Sequence, residues 1–197
     1  MALRAVRSLI IRALEKEFVG RLGEPSLPAA HCLCFHKGLH NDEAAMTSVA
    51  APRVRTELQV MFFDTDCGGV VHNIAYLRFV EVARTLLAEQ LGMPLATMTE
   101  TQRFPVVVRT EIDYRRGAKL GDRLIVDGWL DRLERVRFWC GFQILRPRDE
   151  TVIAECRQML ALVEMPQGKV LRLPDDWEKY RGAEPAAPRS GFAARRI

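Results

Sequence analysis

No stretch of this chain approaches the ~20 consecutive apolar residues that a bilayer-spanning helix requires, so a membrane span is not expected. The first eighteen residues, MALRAVRSLIIRALEKEF, mix basic residues with short apolar pieces. They lack the apolar core and the small-residue cleavage site of a secretory leader. Cysteine is sparse and unpaired in pattern: Cys32, Cys34, Cys67, Cys140 and Cys156 make an odd count at irregular spacing. That does not suggest a disulfide framework and points to a reducing, cytoplasmic setting. A dominant charge is also missing. With 29 basic and 25 acidic residues the net charge is +4, too small a bias to suggest nucleic acid. It suits an acidic small molecule instead.

What is present is a globular pattern: 197 residues, 48% of them hydrophobic, enough for one domain with extensions. Residues 1–50 read as an N-terminal extension. Leu3, Val6, Ile10 and Leu14 fall at helical spacing, and the stretch that follows has many breakers and no period. Met46 offers an alternative start, which would remove residues 1–45 from the native protein. Residues 51–180 carry the regular pattern and form the expected domain, while 181–197, rich in Pro, Ala and Arg, read as a disordered tail.

Within the domain, residues 54–63 predict a first strand. Residues 73–91 predict a helix closed by Gly92. Leu77, Val80, Ala83, Leu87 and Leu91 form its apolar stripe, widened by Phe79 and Leu86, so the helix should be mostly wrapped by other structure. Four further strands are predicted over 104–114, 123–133, 136–146 and 151–164. The fold class is therefore α+β, with an antiparallel five-stranded sheet wrapped around one long central helix.

The chemistry concentrates in Phe62–Arg84, FFDTDCGGVVHNIAYLRFVEVAR. Asp64 and Asp66 with Gly69 superficially resemble a calcium loop, but Gly68 and Ala75 stand where oxygen ligands are required. A phosphate loop fails too, because the glycine pair lacks the Lys-Ser/Thr partner. Acyl transfer uses every unusual feature at once. A helix start presents unpaired N–H groups and a partial positive charge that can hold a developing oxyanion. A nearby carboxylate can attack a carbonyl carbon or activate water, and glycines let substrate approach the backbone. Asp64 can serve simply to shape the turn. The Asn73 side chain can cap the helix while its main chain donates. His72 is open between packing and a substrate-facing role, and Tyr76 reads as core or pocket wall. Glu81 and Arg84 are spaced to pair. Cys67 reads as a small turn residue, since the adjacent carboxylate disfavours a thiolate.

A second cluster, His31, Cys32, Cys34, His36 and His40, has half of a zinc spacing. Cys32-x-Cys34 is too tight for the other half, so no metal site is assigned.

The segment DTDCGGVVHNIAYLRFVEVAR, together with IDYRRGAKLGDRL at 112–124, resembles the hot-dog-fold thioesterases of the 4-hydroxybenzoyl-CoA thioesterase type, in particular the small acyl-CoA thioesterases associated with the Tol-Pal system. The resemblance covers about residues 54–165. It implies a hot-dog fold and hydrolysis of an acyl-CoA thioester to free acid and CoA without a cofactor. It also implies Asp66 as the catalytic carboxylate and the Asn73 main-chain N–H as oxyanion donor. Gly69, Val70, His72 and Tyr76 would contact substrate. Where relatives carry Tyr-His, His-His or aromatic residues, this chain has His72-Asn73. Homodimers or homotetramers with sites at subunit interfaces are implied as well. The basic residues Arg115, Arg116 and Lys119 offer charge for the CoA phosphates. The alternatives are an acyl-carrier-protein thioesterase, or a non-catalytic module that binds acyl-CoA or acyl carriers.

Overall fold

The computed structural model describes residues 50–182. The expected N-terminal extension, its histidine-cysteine cluster and nearly all of the expected tail lie outside the described residues. The elements run β1 (Arg53–Gln59), α1 (Asn73–Gln90), α2 (Leu95–Thr101), β2 (Arg103–Tyr114), β3 (Arg123–Leu133), β4 (Arg137–Arg146), β5 (Thr151–Glu164) and β6 (Lys169–Val170). Short 3-10 turns occupy Phe62–Asp64, Pro147–Asp149 and Asp175–Tyr180.

The five long strands form one antiparallel sheet in the order β1-β3-β4-β5-β2, and β6 adds two residues beside β5. Alternation along the strands explains the arrangement. Leu124, Val126 and Leu130 of β3 and Phe138, Cys140, Phe142 and Ile144 of β4 join the buried cluster that receives the helix. Helix α1 lies between β1 and β2 in sequence, and those strands are the two sheet edges. The chain therefore crosses beneath the curled sheet as a helix. Its buried residues, Ala75, Tyr76, Phe79, Val80, Ala83, Leu87 and Ala88, make the stripe that packs on the sheet.

Two expectations are corrected here. The strand expected to Phe63 ends at Gln59, and Phe62 and Phe63 sit in an exposed 3-10 turn, because Val60 leaves the ladder to bond the loop at Asp122 and Gly121. The helix is also less wrapped than its apolar residues suggested. Leu77 is 37% and Leu86 36% exposed, and with Ile74 and Val82 they give α1 an outward apolar face. Helix α2 and the 3-10 turn around Trp177 were not foreseen.

Candidate active site

The site is built from the segment between β1 and α1. Thr65 pairs with Val71, closing a tight reversal. The Asp66 N–H donates to the Val70 carbonyl at 2.9 Å, and the Gly69 N–H donates to the Asp66 carbonyl at 3.0 Å. This is a three-residue hairpin loop whose last residue must be left-handed, and Gly69, at φ 73°, supplies that conformation. Inside the loop the Asp66 Oδ1 accepts the Gly68 N–H at 2.8 Å, which orients the carboxylate. The loop is then clamped from outside. The Val71 N–H donates to the Ala118 carbonyl at 2.8 Å, and Val70 bridges Lys119.

Asp64 is buried at 2% exposure and takes no part in this reversal by its side chain. Its Oδ2 accepts the Met61 N–H at 2.8 Å, its Oδ1 is ion-paired with Arg78, and its carbonyl accepts the His72 N–H at 2.8 Å. The two aspartates differ in setting: Asp64 is buried and ties down the Phe62–Asp64 turn, whereas Asp66 lies exposed in the loop.

The helix entry holds the principal correction to the sequence reading. His72, not Asn73, is the N-cap residue of α1. Its Nδ1 accepts the Ile74 N–H at 3.2 Å, which places the ring proton on Nε2. The Ala75 N–H is taken by the His72 carbonyl at 2.8 Å. Among the described residues the Asn73 N–H has no protein acceptor, whereas its neighbours at 72, 74 and 75 all do. It is one of the donors that a helix start leaves unpaired, and it carries the positive end of the helix dipole.

These groups meet in one open cleft of about 440 Å³, lined by Asp66, Val71, His72, Asn73, Tyr76, Tyr114, Arg115, Arg116 and Gly117. Four of the expected site residues, Asp66, His72, Asn73 and Tyr76, share it. Gly69 and Val70, expected to contact substrate, do not line it. Tyr76 forms a wall: its ring is buried, and its hydroxyl accepts the Ala118 N–H at 3.1 Å. Burial pushes its phenol up, so it stays protonated. Tyr114 was not anticipated as a site residue. It ends β2, its ring lies tilted against Tyr76 with centroids 5.5 Å apart, and its hydroxyl donates to the Asn73 carbonyl at 3.2 Å. No local signal marked it, because it reaches the helix from 41 residues away.

The loop cations also separate. Arg115 is committed to Glu155 at 2.9 Å and Asp113 at 3.3 Å. Arg116 lines the cleft with no ion-pair partner among the described residues. Lys119 is exposed and outside the lining. Cys67 lies exposed in the loop, while Cys140 and Cys156 are buried. Burial pushes both buried thiols up, Cys156 to about 12, which leaves neither as a nucleophile. No group of three or more potential metal-ligating side chains occurs among the described residues. No described helix is long and apolar enough to cross a membrane.

A curled antiparallel sheet around a long helix, with a carboxylate loop at the helix start, defines a hot-dog fold of thioesterase type. The chain belongs to the thioesterase-like superfamily, whose family model matches residues 60–180. It is 31% identical over 120 residues to the acyl-CoA thioesterase YbgC of Haemophilus influenzae, a match covering 60% of this chain and 87% of that protein. It is 26% identical over 123 residues to a 1,4-dihydroxy-2-naphthoyl-CoA hydrolase of Synechocystis, covering 62% of this chain and 89% of the relative. Among solved structures, a probable thioesterase from Bartonella henselae superposes with a TM-score of 0.58 at 28% identity, covering 62% of this chain and 99% of that one.

Proposed function

We propose that this chain is an acyl-CoA thioesterase, with Asp66 as its catalytic carboxylate and the Asn73 N–H as its oxyanion donor. The observation that carries the proposal is that Asn73, whose N–H has no acceptor among the described residues, lines the same cleft as Asp66. A thioester carbonyl oxygen seated on that N–H gains a hydrogen bond that strengthens as negative charge develops. Asp66 then has two routes. As nucleophile, its oxygen bonds to the carbonyl carbon and the C–S bond breaks. The CoA thiolate leaves and takes up a proton, and water cleaves the resulting anhydride to restore the carboxylate. As general base, Asp66 takes a proton from water, hydroxide adds to the carbon, and the same C–S bond breaks. Both routes give free acid and CoA.

Arg116, which lines the cleft without an ion-pair partner among the described residues, is the cation we assign to the CoA phosphates, whereas Arg115 is ion-paired with Glu155 and Asp113. The long edge strand β2, paired on one side only, supports assembly with a second copy through strand addition. The test is Asp66→Asn, assayed by thiol release from a panel of acyl-CoAs. Loss of at least ~10²-fold in kcat is expected, in line with removal of a general base or nucleophile. Turnover near wild type would overturn the assignment.

A further inference from the structure

We infer that Arg78 and Asp64 form a positioning pair that sets the direction of the Asn73 N–H, making Arg78 a functional residue of the site although it lies outside the cleft. The inference rests on the active-site reading above and deepens it.

The geometry forms a closed circuit. Arg78 lies on α1, five residues after Asn73, and its guanidinium is ion-paired with the buried carboxylate of Asp64. The same carboxylate holds the Met61 N–H, and so fixes the 3-10 turn from which Asp64 emerges. The Asp64 carbonyl then accepts the His72 N–H at 2.8 Å, immediately before the peptide that carries the Asn73 N–H. Helix α1 is thereby tied back on itself, from its second turn, through Asp64, to its own entry. Asp66 stands two residues beyond Asp64 in the same loop, so one clamp registers both proposed catalytic groups. The Phe63 ring supports the arginine from beneath, with the guanidinium carbon 5.2 Å from the ring centroid.

Charge and burial explain why the clamp is rigid. Asp64 is nearly inaccessible, and a buried carboxylate is tolerated only when paired and hydrogen-bonded. Arg78 keeps half its side chain in water, so it contributes a partner without itself being desolvated. A planar fork can hold a carboxylate and an aromatic face together, and a lysine cannot reproduce both contacts. Arg78 does not line the cleft, and the effect inferred for it passes through Asp64 and His72. Displacements of about 1 Å at a reacting centre can cost on the order of 10²-fold in rate.

The experiment measures kcat and KM separately for wild type, Asp66→Asn, Arg78→Gln, Arg78→Lys and Asp64→Asn. Amide hydrogen exchange is followed across residues 64–76 and, as a folding control, across β3 and β4. Arg78→Gln is expected to lower kcat by roughly 10–100-fold with KM within about 3-fold, and Arg78→Lys to recover part of the loss. In both Arg78 variants the His72 amide should exchange faster while β3 and β4 keep their protection. Should Arg78→Gln or Asp64→Asn fail to fold, Arg78→Lys alone must still show the faster His72 exchange and a lowered kcat. The inference is overturned if Asp66→Asn is inactive while the folded Arg78 variants keep wild-type kcat, or if their loss appears only in KM. Full activity of Asp66→Asn would instead overturn the active-site reading, whatever Arg78 does. Unchanged His72 exchange in a folded Arg78 variant would refute the clamp independently of catalysis.

Discussion

The two ends of helix α1 are finished in opposite ways. At the C-terminal end the carbonyls of Leu87, Ala88, Glu89 and Leu91 are all hydrogen-bonded. The Gly92 N–H bonds the Glu89 carbonyl at 3.0 Å and the Met93 N–H bonds the Ala88 carbonyl at 2.9 Å, a Schellman closure with Gly92 in the left-handed conformation at φ 80°. The indole of Trp177, 1% exposed, donates to the Leu91 carbonyl at 2.9 Å and stands edge-on against Phe138. At the N-terminal end the cap is His72, the Asn73 N–H has no acceptor among the described residues, and both residues line an open cleft. The contrast shows how one element serves two purposes. Packing at the closed end supplies stability, while the open end keeps the unpaired donor to which the proposed mechanism assigns the substrate carbonyl.

That separation can be broken deliberately. The largest stability effect is expected at the closed end. Trp177→Ala should cost about 3–5 kcal/mol in urea unfolding, through the lost ring volume and the orphaned Leu91 carbonyl. Below its shifted midpoint the variant should keep wild-type kcat. A folded Trp177→Ala protein without activity would show that the two ends are coupled. Gly92→Ala should cost roughly 1–2 kcal/mol, because an L side chain is strained at that positive φ, again without changing kcat. At the open end, His72→Ala should cost about 1 kcal/mol by freeing the Ile74 N–H. Unlike the other two, it should also lower turnover, because it loosens the peptide that carries the Asn73 N–H. Equal effects on turnover from Gly92→Ala and His72→Ala would remove the distinction between the ends.

Most of this frame was legible in the sequence because it is written in short periods. The alternation of β2 and the apolar spacing of α1 each lie within one element, and the predicted ranges of α1 and of β2 to β5 agree with the observed ones to within a residue or so. The loop was legible because acids, glycines and a helix start occur together within a few residues. What escaped reading depends on partners far along the chain. Trp177 reaches Leu91 across 86 residues and Tyr114 reaches Asn73 across 41, so no local pattern announces either. The helix cap was misassigned for a subtler reason. Asn is a favoured cap, and histidine takes that role here because its ring nitrogen points back to Ile74. Phe62 and Phe63 continued the apolar look of β1, but the hydrogen bonds of Val60 to the 115–122 loop end the strand before them.

The central claim is that the main-chain N–H of Asn73, rather than its side chain, holds the oxyanion. Proline tests it cleanly. Asn73 is the first helical residue, where proline is favoured, and His72, at φ −61° and ψ 139°, already has the extended backbone that a following proline demands. Asn73→Pro therefore deletes the donor while leaving the helix able to form, and Asn73→Ala deletes only the side chain. Measured with acyl-CoA on folded protein, the account predicts a loss of about 10²–10³-fold in kcat for Asn73→Pro and near wild-type turnover for Asn73→Ala. A folded Asn73→Pro enzyme that turns over as fast as Asn73→Ala would contradict it.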